Sequence, residues 1–111
     1  MVKTILINST GLGHGDEKLG EKLMGSFLRK LWANSDKPEK IVFYNSGVKL
    51  LAKGSNVLDA LDSLLKAGVD LIACGTCMGY YGLNDDIVLG RISNMQEIVE
   101  ILISSEGTLT V

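Results

Sequence analysis

The residues best suited to chemistry are two cysteines, Cys74 and Cys77, which are separated by two residues. They directly follow the apolar segment 69–73, so the sequence predicts Cys74 at the carboxyl end of a buried strand and a helix start after it. Backbone N–H groups at such a position stabilise a thiolate, which is the nucleophilic form of cysteine. The spacing therefore indicates a reactive thiol site. The alternative is that both cysteines are small core residues.

Metal binding and thioredoxin-like chemistry fit this pair less well. Two cysteines and one histidine fall short of the four ligands of a structural zinc site, so no metal is expected. The single proline, Pro38, precedes the cysteines, whereas the thioredoxin fold has its proline after the active motif. A reversible Cys74–Cys77 disulfide on another fold remains an open alternative.

A glycine-rich loop near the amino terminus contains the other candidate groups. Gly11, Gly13 and Gly15 alternate ahead of a helical pattern, but their spacing differs from the G-x-G-x-x-G of dinucleotide sites, and no cofactor is expected. Backbone N–H groups at this helix start suit a smaller anion or a reactive group of a partner. His14, the only imidazole, is a candidate base or thiolate partner; the alternative is a solvated loop histidine.

Alternating strand and helix patterns determine where these groups should meet. Strands are predicted at 2–8, 40–44, 69–73, 87–89 and 109–111, and longer helices begin near residues 16, 55 and 94. The first helix should bury a stripe formed by Leu19, Leu23, Met24, Phe27, Leu28 and Leu31, and the last one a stripe formed by Met95, Ile98, Val99 and Leu102. This order predicts one three-layer α/β/α domain over residues 1–111, with a parallel sheet of about five strands and a broadly flavodoxin-like architecture.

Ligands of such sheets bind beyond the carboxyl ends of the strands, so loops 8–16, 45–55 and 74–86 should converge on one rim. The candidate binding residues in these loops are Gly13, Gly15, Asn45, Gly47, Gly75 and Thr76. Met78, Tyr80 and Tyr81 flank the thiols and are interpreted as a binding patch or a subunit contact.

Composition limits the class of protein. The chain has 111 residues, is 46% hydrophobic and has a net charge of −2. Residues 1–66 contain ten Lys/Arg and seven Asp/Glu, whereas residues 67–111 contain one Arg and six acids. Neither part has the basic surface that nucleic-acid binding needs, and no apolar run could span a bilayer. Two cysteines are too few for the disulfide framework that stabilises small secreted proteins, so a reducing, cytoplasmic compartment is expected.

Several segments together resemble the DsrE/DsrF-like family of sulfur-relay proteins, most closely the DsrE-like domain of YedF-type selenium-metabolism proteins. The resemblance covers essentially the whole chain, in order. The segments that carry it are 15–20, 43–48, 71–77, 80–83 and 90–95.

The resemblance implies a parallel five-stranded three-layer fold, a homo-oligomer and a persulfide on the family cysteine, which corresponds to Cys74, with Gly82 eight residues on. No role for Cys77 follows from the family pattern. YedF-type proteins usually carry a TusA-like Cys-Pro domain ahead of this one, and this sequence contains no Cys-Pro. A TusA-like domain would then act from another polypeptide, or the sequence is an excised half. A role in selenium metabolism is inferred only from the association of YedF-type proteins with it.

Three hypotheses follow for the function. The first is a sulfur or selenium carrier, a possible sulfurtransferase-type protein, in which Cys74 forms a persulfide and exchanges sulfur with donor and acceptor proteins. The second is a non-catalytic module for small-ligand binding or assembly, and the third is a dithiol redox protein.

Overall fold

The computed structural model describes residues 2–111. Strands and helices alternate along the chain, and a 3₁₀ helix follows the second strand. The elements are β1 (Thr4–Ile7), α1 (Glu17–Ala33), β2 (Lys40–Phe43), the 3₁₀ helix (Asn45–Leu51), α2 (Leu58–Lys66), β3 (Asp70–Cys74), α3 (Gly75–Tyr80), β4 (Arg91–Ser93), α4 (Met95–Ser104) and β5 (Thr108–Thr110).

The five strands form one parallel sheet in the order β4-β3-β2-β1-β5. Every residue of β1 is buried, and so are the last three of β2 and the last four of β3, because helices cover both faces of the central strands. The predicted α/β class and parallel sheet are therefore confirmed. Because β1, β2 and β3 are parallel, residues 8, 44 and 75, which follow their carboxyl ends, lie at the same edge of the sheet.

The helices form the two outer layers. α1 and α2 contact each other and therefore lie on the same face. α4 connects β4 at one edge of the sheet to β5 at the other, and a right-handed connection of this kind runs over the opposite face. Within the described chain, every helix is too short or too polar to cross a bilayer.

The predicted apolar stripes of two helices are partly wrong. α1 buries Gly20, Met24, Gly25 and Leu28, whereas Leu19 and Leu23 are 54% and 43% exposed. Gly20 packs on the backbone of Gly11 and Leu12, and Gly25 lies near Val57, so the buried face of α1 is the one that carries these glycines and not the predicted stripe. In α4 the buried residues are Ile98 and Ile101, and Met95 and Val99 are exposed. Apolar spacing alone did not separate buried from exposed positions, because both helices are apolar on more than one face.

The predicted fourth strand, at 87–89, is also wrong. Ile87 forms only an isolated antiparallel bridge with Ala52, and the N–H groups of Val88 and Leu89 donate to the carbonyl oxygen of Leu51. This segment therefore bonds to the end of the 3₁₀ helix and not to β3. The strand that pairs with β3 begins at Arg91, whose partner in the register is Ile72.

A charge cluster fixes β4 in this register. The Arg91 guanidinium donates to both carboxylate oxygens of Asp70, at 3.1 and 3.0 Å, and to both oxygens of Glu97, at 2.8 and 2.7 Å. The Arg91 and Ser93 hydrogen bonds lower the pKa of Glu97 to about 2, and the two carboxylates raise the pKa of Arg91. This cluster ties β3, β4 and α4 together.

Candidate functional site

Cys74 is the last residue of β3 and directly precedes α3, as predicted. Its side chain is completely buried. A side chain on the following residue, Gly75, would come within 2.6 Å of the Ser93 carbonyl oxygen, so only glycine lets α3 start this close to β4. Close packing at the end of the strand therefore covers Cys74.

Cys77 lies one helical turn further on and is partly exposed. Its sulfur accepts a hydrogen bond of 3.0 Å from the backbone N–H of Asn45. Burial, chiefly, and a hydrogen bond with Cys74 raise the pKa of the Cys77 thiol, whereas the Asn45 N–H lowers it. Both cysteines are free. The structure therefore holds two adjacent thiols, one buried and one within reach of solvent.

Asn45 brings the second loop to the thiols. It follows β2 and has φ +50°, a left-handed conformation that asparagine tolerates better than most residues. Its side-chain oxygen accepts hydrogen bonds from the Ser46 N–H, at 2.9 Å, and from the Tyr81 hydroxyl, at 3.2 Å. These contacts connect the segment after β2 to Cys77 within α3 and to Tyr81 at its carboxyl end.

Two side chains surround this connection. The Lys49 ammonium lies 4.4 Å from the centre of the Tyr81 ring, and the Tyr80 ring meets Tyr81 edge-on at 5.2 Å. Tyr80 is 84% exposed, whereas Met78 is completely buried. The predicted surface patch therefore consists of the two tyrosines, and Met78 belongs to the core because it lies on the sheet-facing side of α3.

A cavity of about 790 Å³ lies beside this network, at the ends of β1 and β2. Gly13, His14, Gly15, Asn45 and Ser46 line it, together with Lys49. Neither cysteine is among its lining residues. The structure thus brings the first two predicted loops together around His14 and Asn45, while the thiols lie on the other side of Asn45.

The remaining predicted site residues have other surroundings. Gly47 is buried, and a side chain there would collide with the Ile7 carbonyl oxygen, so this glycine allows the 3₁₀ helix to pack on β1. Thr76 is exposed on α3. Within residues 2–111, no cluster of three or more His, Cys, Asp or Glu side chains is arranged to hold a metal ion.

Lys49 is the functional candidate that sequence reasoning missed. The sequence contains no cation between Lys66 and Arg91, so a positive charge near the thiols had to come from another segment. Lys49 is such a cation: it lies four residues after Asn45 on the 3₁₀ helix, and its ammonium is 4.4 Å from the centre of the Tyr81 ring. The predicted loop at 45–55 contains this residue, but the sequence does not show which side chain of the loop faces Tyr81.

Comparison with known proteins agrees with this architecture. A family model described as the DsrE/DsrF-like family matches residues 3–111. The chain therefore belongs to the DsrE/DsrF-like family, and this membership indicates a role related to sulfur relay, in which proteins of the family act with partner proteins. No match was found among curated protein sequences.

Solved structures share the fold. The ychN protein of E. coli aligns with a TM-score of 0.74 and 19% identity, covering 100% of both chains. MTH1491 from Methanobacterium thermoautotrophicum, described as a protein of unknown function, aligns with a TM-score of 0.71 and 22% identity, covering 97% of this chain and 96% of that one. BT1422 from Bacteroides thetaiotaomicron aligns with a TM-score of 0.67 and 18% identity, covering 98% and 95%. At these identities the likeness shows the fold alone.

Proposed function

We propose that this protein carries sulfur as a persulfide on the Cys74-x-x-Cys77 thiol pair. The observation that carries the proposal is the partly exposed Cys77 sulfur, which accepts the Asn45 N–H beside the buried Cys74. An N–H donor at a thiol favours the thiolate, the nucleophilic form, over the neutral thiol. Membership of the DsrE/DsrF-like family supports the same chemistry.

The transfer needs no external oxidant. A thiolate of the pair attacks the outer sulfur of a donor persulfide, R–S–SH. The donor S–S bond breaks, R–S⁻ leaves, and a new S–S bond to the cysteine forms. An acceptor thiolate then attacks the outer sulfur in the same manner and regenerates the free cysteine. The sulfur atom passes between thiols without net oxidation of the protein.

Cys77 is the thiol that receives sulfur in this proposal. Cys74 corresponds to the family cysteine, but it is completely buried, and a donor would have to displace α3 to reach it. Cys77 is the more accessible of the two because the residue is partly exposed and its sulfur meets the Asn45 N–H from the neighbouring 3₁₀ helix. The assignment of the persulfide to Cys74 stays a prediction that the same experiment tests.

The proposal extends to the partners. A sulfur donor and a sulfur acceptor protein, one of them a TusA-like Cys-Pro domain, would meet the exposed edge that carries Cys77 and the two tyrosines. Free thiols suit a reducing compartment such as the cytoplasm. A homo-oligomeric assembly and selenium as an alternative cargo are further parts of the proposal.

Intact mass spectrometry tests the proposal. The reduced protein is incubated with glutathione persulfide, desalted and weighed, in parallel with Cys74→Ser, Cys77→Ser and the double variant. We expect the wild type and Cys74→Ser to gain the mass of one sulfur atom, and Cys77→Ser and the double variant to gain none. A wild type that gains no sulfur overturns sulfur carriage. A gain retained by Cys77→Ser and lost from Cys74→Ser overturns the assignment to Cys77.

Dithiol redox chemistry is the second candidate, because the two free cysteines lie one helical turn apart. Closing a Cys74–Cys77 disulfide would reduce one molecule of a disulfide oxidant such as oxidised glutathione to two thiols, which take up the two electrons and the two protons. Incubation with that oxidant and thiol counting distinguish it: loss of both thiols without a stable glutathione adduct supports this function.

A further inference from the structure

Asn45 holds a backbone conformation that its side chain helps to maintain. At φ +50° it lies in the left-handed region, and its side-chain oxygen accepts from both the Ser46 N–H and the Tyr81 hydroxyl. With the peptide held this way, the Asn45 N–H lies 3.0 Å from the Cys77 sulfur. A backbone N–H cannot turn about a side-chain bond, so the direction in which the Asn45 N–H points depends on the contacts that hold its peptide group in place.

Tyr81 is itself held from two sides. The Lys49 ammonium lies 4.4 Å from its ring centre, and the edge of the Tyr80 ring contacts it. Lys49 and Asn45 belong to the same 3₁₀ helix, while Tyr81 and Cys77 belong to α3 and its carboxyl end. The contacts of Lys49 with Tyr81, of Tyr81 with Asn45 and of Asn45 with Cys77 therefore all join the 3₁₀ helix to α3 and its carboxyl end.

We propose that Asn45 and Tyr81 are positioning residues that hold the Asn45 backbone N–H on the Cys77 sulfur, so that Cys77 is the thiol of this pair that reacts. This inference rests on the proposed function only for the identity of the electrophile, the outer sulfur of a donor persulfide. Cys77 attacks as the thiolate, the donor S–S bond breaks, and the departing thiolate takes the electron pair. The N–H then lies beside the inner sulfur of the persulfide, one bond from the outer sulfur that carries the negative charge.

Other titratable groups near α3 do not replace this donor. On β3 and β4, Asp70 and Arg91 are paired with each other, and Glu97 shares Arg91. Burial of Cys77 raises the pKa of its thiol, and the neighbouring Cys74 raises it further. Lys49 approaches the Tyr81 ring and not a carboxylate in the network. The Asn45 N–H is therefore the contact that opposes burial at the sulfur.

The test follows Cys77 alkylation in the full chain, without any sulfur donor. Iodoacetamide rates are measured from pH 6 to pH 10 by peptide fragmentation, which separates Cys77 from Cys74. Tyr81→Phe removes the hydroxyl but keeps the ring, and Asn45→Gly keeps the N–H and tolerates φ +50° but removes the side-chain oxygen. Tyr80→Phe removes the same hydroxyl from the exposed neighbour and is the matched control.

We expect Tyr81→Phe and Asn45→Gly to shift the inflection of the rate to higher pH and to lower the rate at pH 7 by roughly 3- to 10-fold, equivalent to about half to one pKa unit. Tyr80→Phe should match the wild type. Thermal unfolding of each variant checks that the fold is kept. Equal profiles for Tyr81→Phe and Tyr80→Phe overturn the inference, and so does a slower rate with an unchanged inflection, which indicates altered access.

Sulfur loading of the same variants separates this inference from the proposed function. If no protein accepts sulfur from glutathione persulfide but the alkylation profiles shift as expected, sulfur carriage fails and the positioning of the thiol stands. If all variants load sulfur at wild-type rates and the alkylation profiles coincide, sulfur carriage stands and the positioning role fails.

Discussion

Substitution of Asn45 provides a direct test of the strained loop that carries the thiol donor. In the structure this residue has φ +50°. A left-handed conformation costs an ordinary residue roughly 1–2 kcal/mol. Asn45→Ala keeps a Cβ without the asparagine oxygen, so it meets this cost and also loses the bonds from Ser46 and Tyr81. Each of those bonds is worth about 1 kcal/mol or less at this exposed position.

The expected loss of stability for Asn45→Ala is therefore about 2–3 kcal/mol. Asn45→Gly loses the same two hydrogen bonds but relieves the conformational cost, so it should be more stable than Asn45→Ala by about 1 kcal/mol. For a domain near this size, 1 kcal/mol corresponds to roughly 4–8 °C in the midpoint of thermal unfolding.

Urea unfolding monitored by circular dichroism measures both variants. The pair is informative because both lack the same side-chain oxygen and differ only in the Cβ. If Asn45→Ala proves as stable as Asn45→Gly, the left-handed conformation does not exist in solution, and the geometry that aims the N–H at Cys77 is wrong.

Three further predictions follow from the fold. Leu28→Ala should cost about 2–5 kcal/mol in urea unfolding because Leu28 is fully buried, whereas Leu19→Ala should cost under about 0.5 kcal/mol; equal costs would contradict the buried face of α1. Hydrogen bonds from Arg91 and Ser93 lower the pKa of Glu97 to about 2. The contribution of Glu97 to stability is therefore present above pH about 4.5 and lost as the pH falls toward 2. In acid unfolding, Glu97→Gln should remove that pH dependence. The stability lost is expected to be less than about 1 kcal/mol because the Glu97 side chain is 37% exposed. An acid profile equal to that of the wild type would contradict the Arg91 cluster. Burial raises the pKa of the Cys77 thiol, so wild-type alkylation should keep rising above the pH at which a free cysteine levels off, and an earlier plateau would contradict that shift.

The sequence predicted the sheet because its strands are short, apolar and separated by helical patterns. Segments 40–44 and 69–73 overlap β2 and β3 almost completely. A helix was predicted to begin near residue 16, and α1 does so: the Asp16 side chain caps it by accepting from the Leu19 N–H at 2.8 Å. Local signals of this kind act within a few residues, so one sequence is enough to identify them.

The failures involve contacts between distant segments. Residues 87–89 look like a strand, but their N–H groups bond to Leu51, and only the register with Ile72 places β4 at Arg91. The exposure of Leu19 depends on which face of α1 meets the sheet. Neither feature is encoded in local hydrophobicity.

The candidate site was predicted in part. The rim position of Cys74 and Cys77 follows from strand polarity, which sequence patterns determine. The burial of Cys74 and the position of the Asn45 N–H at Cys77 depend on how α3 packs on β4 and on the 3₁₀ helix. That packing is set by contacts between distant segments, such as the Asn45–Cys77 hydrogen bond, which spans 32 residues of the chain. Sequence therefore located the thiols but not the difference between them.

The central claim is that this thiol pair accepts sulfur and that Cys77 receives it. The most direct measurement is the intact mass of the wild type, Cys74→Ser and Cys77→Ser after incubation with glutathione persulfide. The account predicts the mass of one added sulfur atom on the wild type and on Cys74→Ser, and none on Cys77→Ser. A wild type without added sulfur, or a Cys77→Ser variant that loads as fully as the wild type, would contradict it.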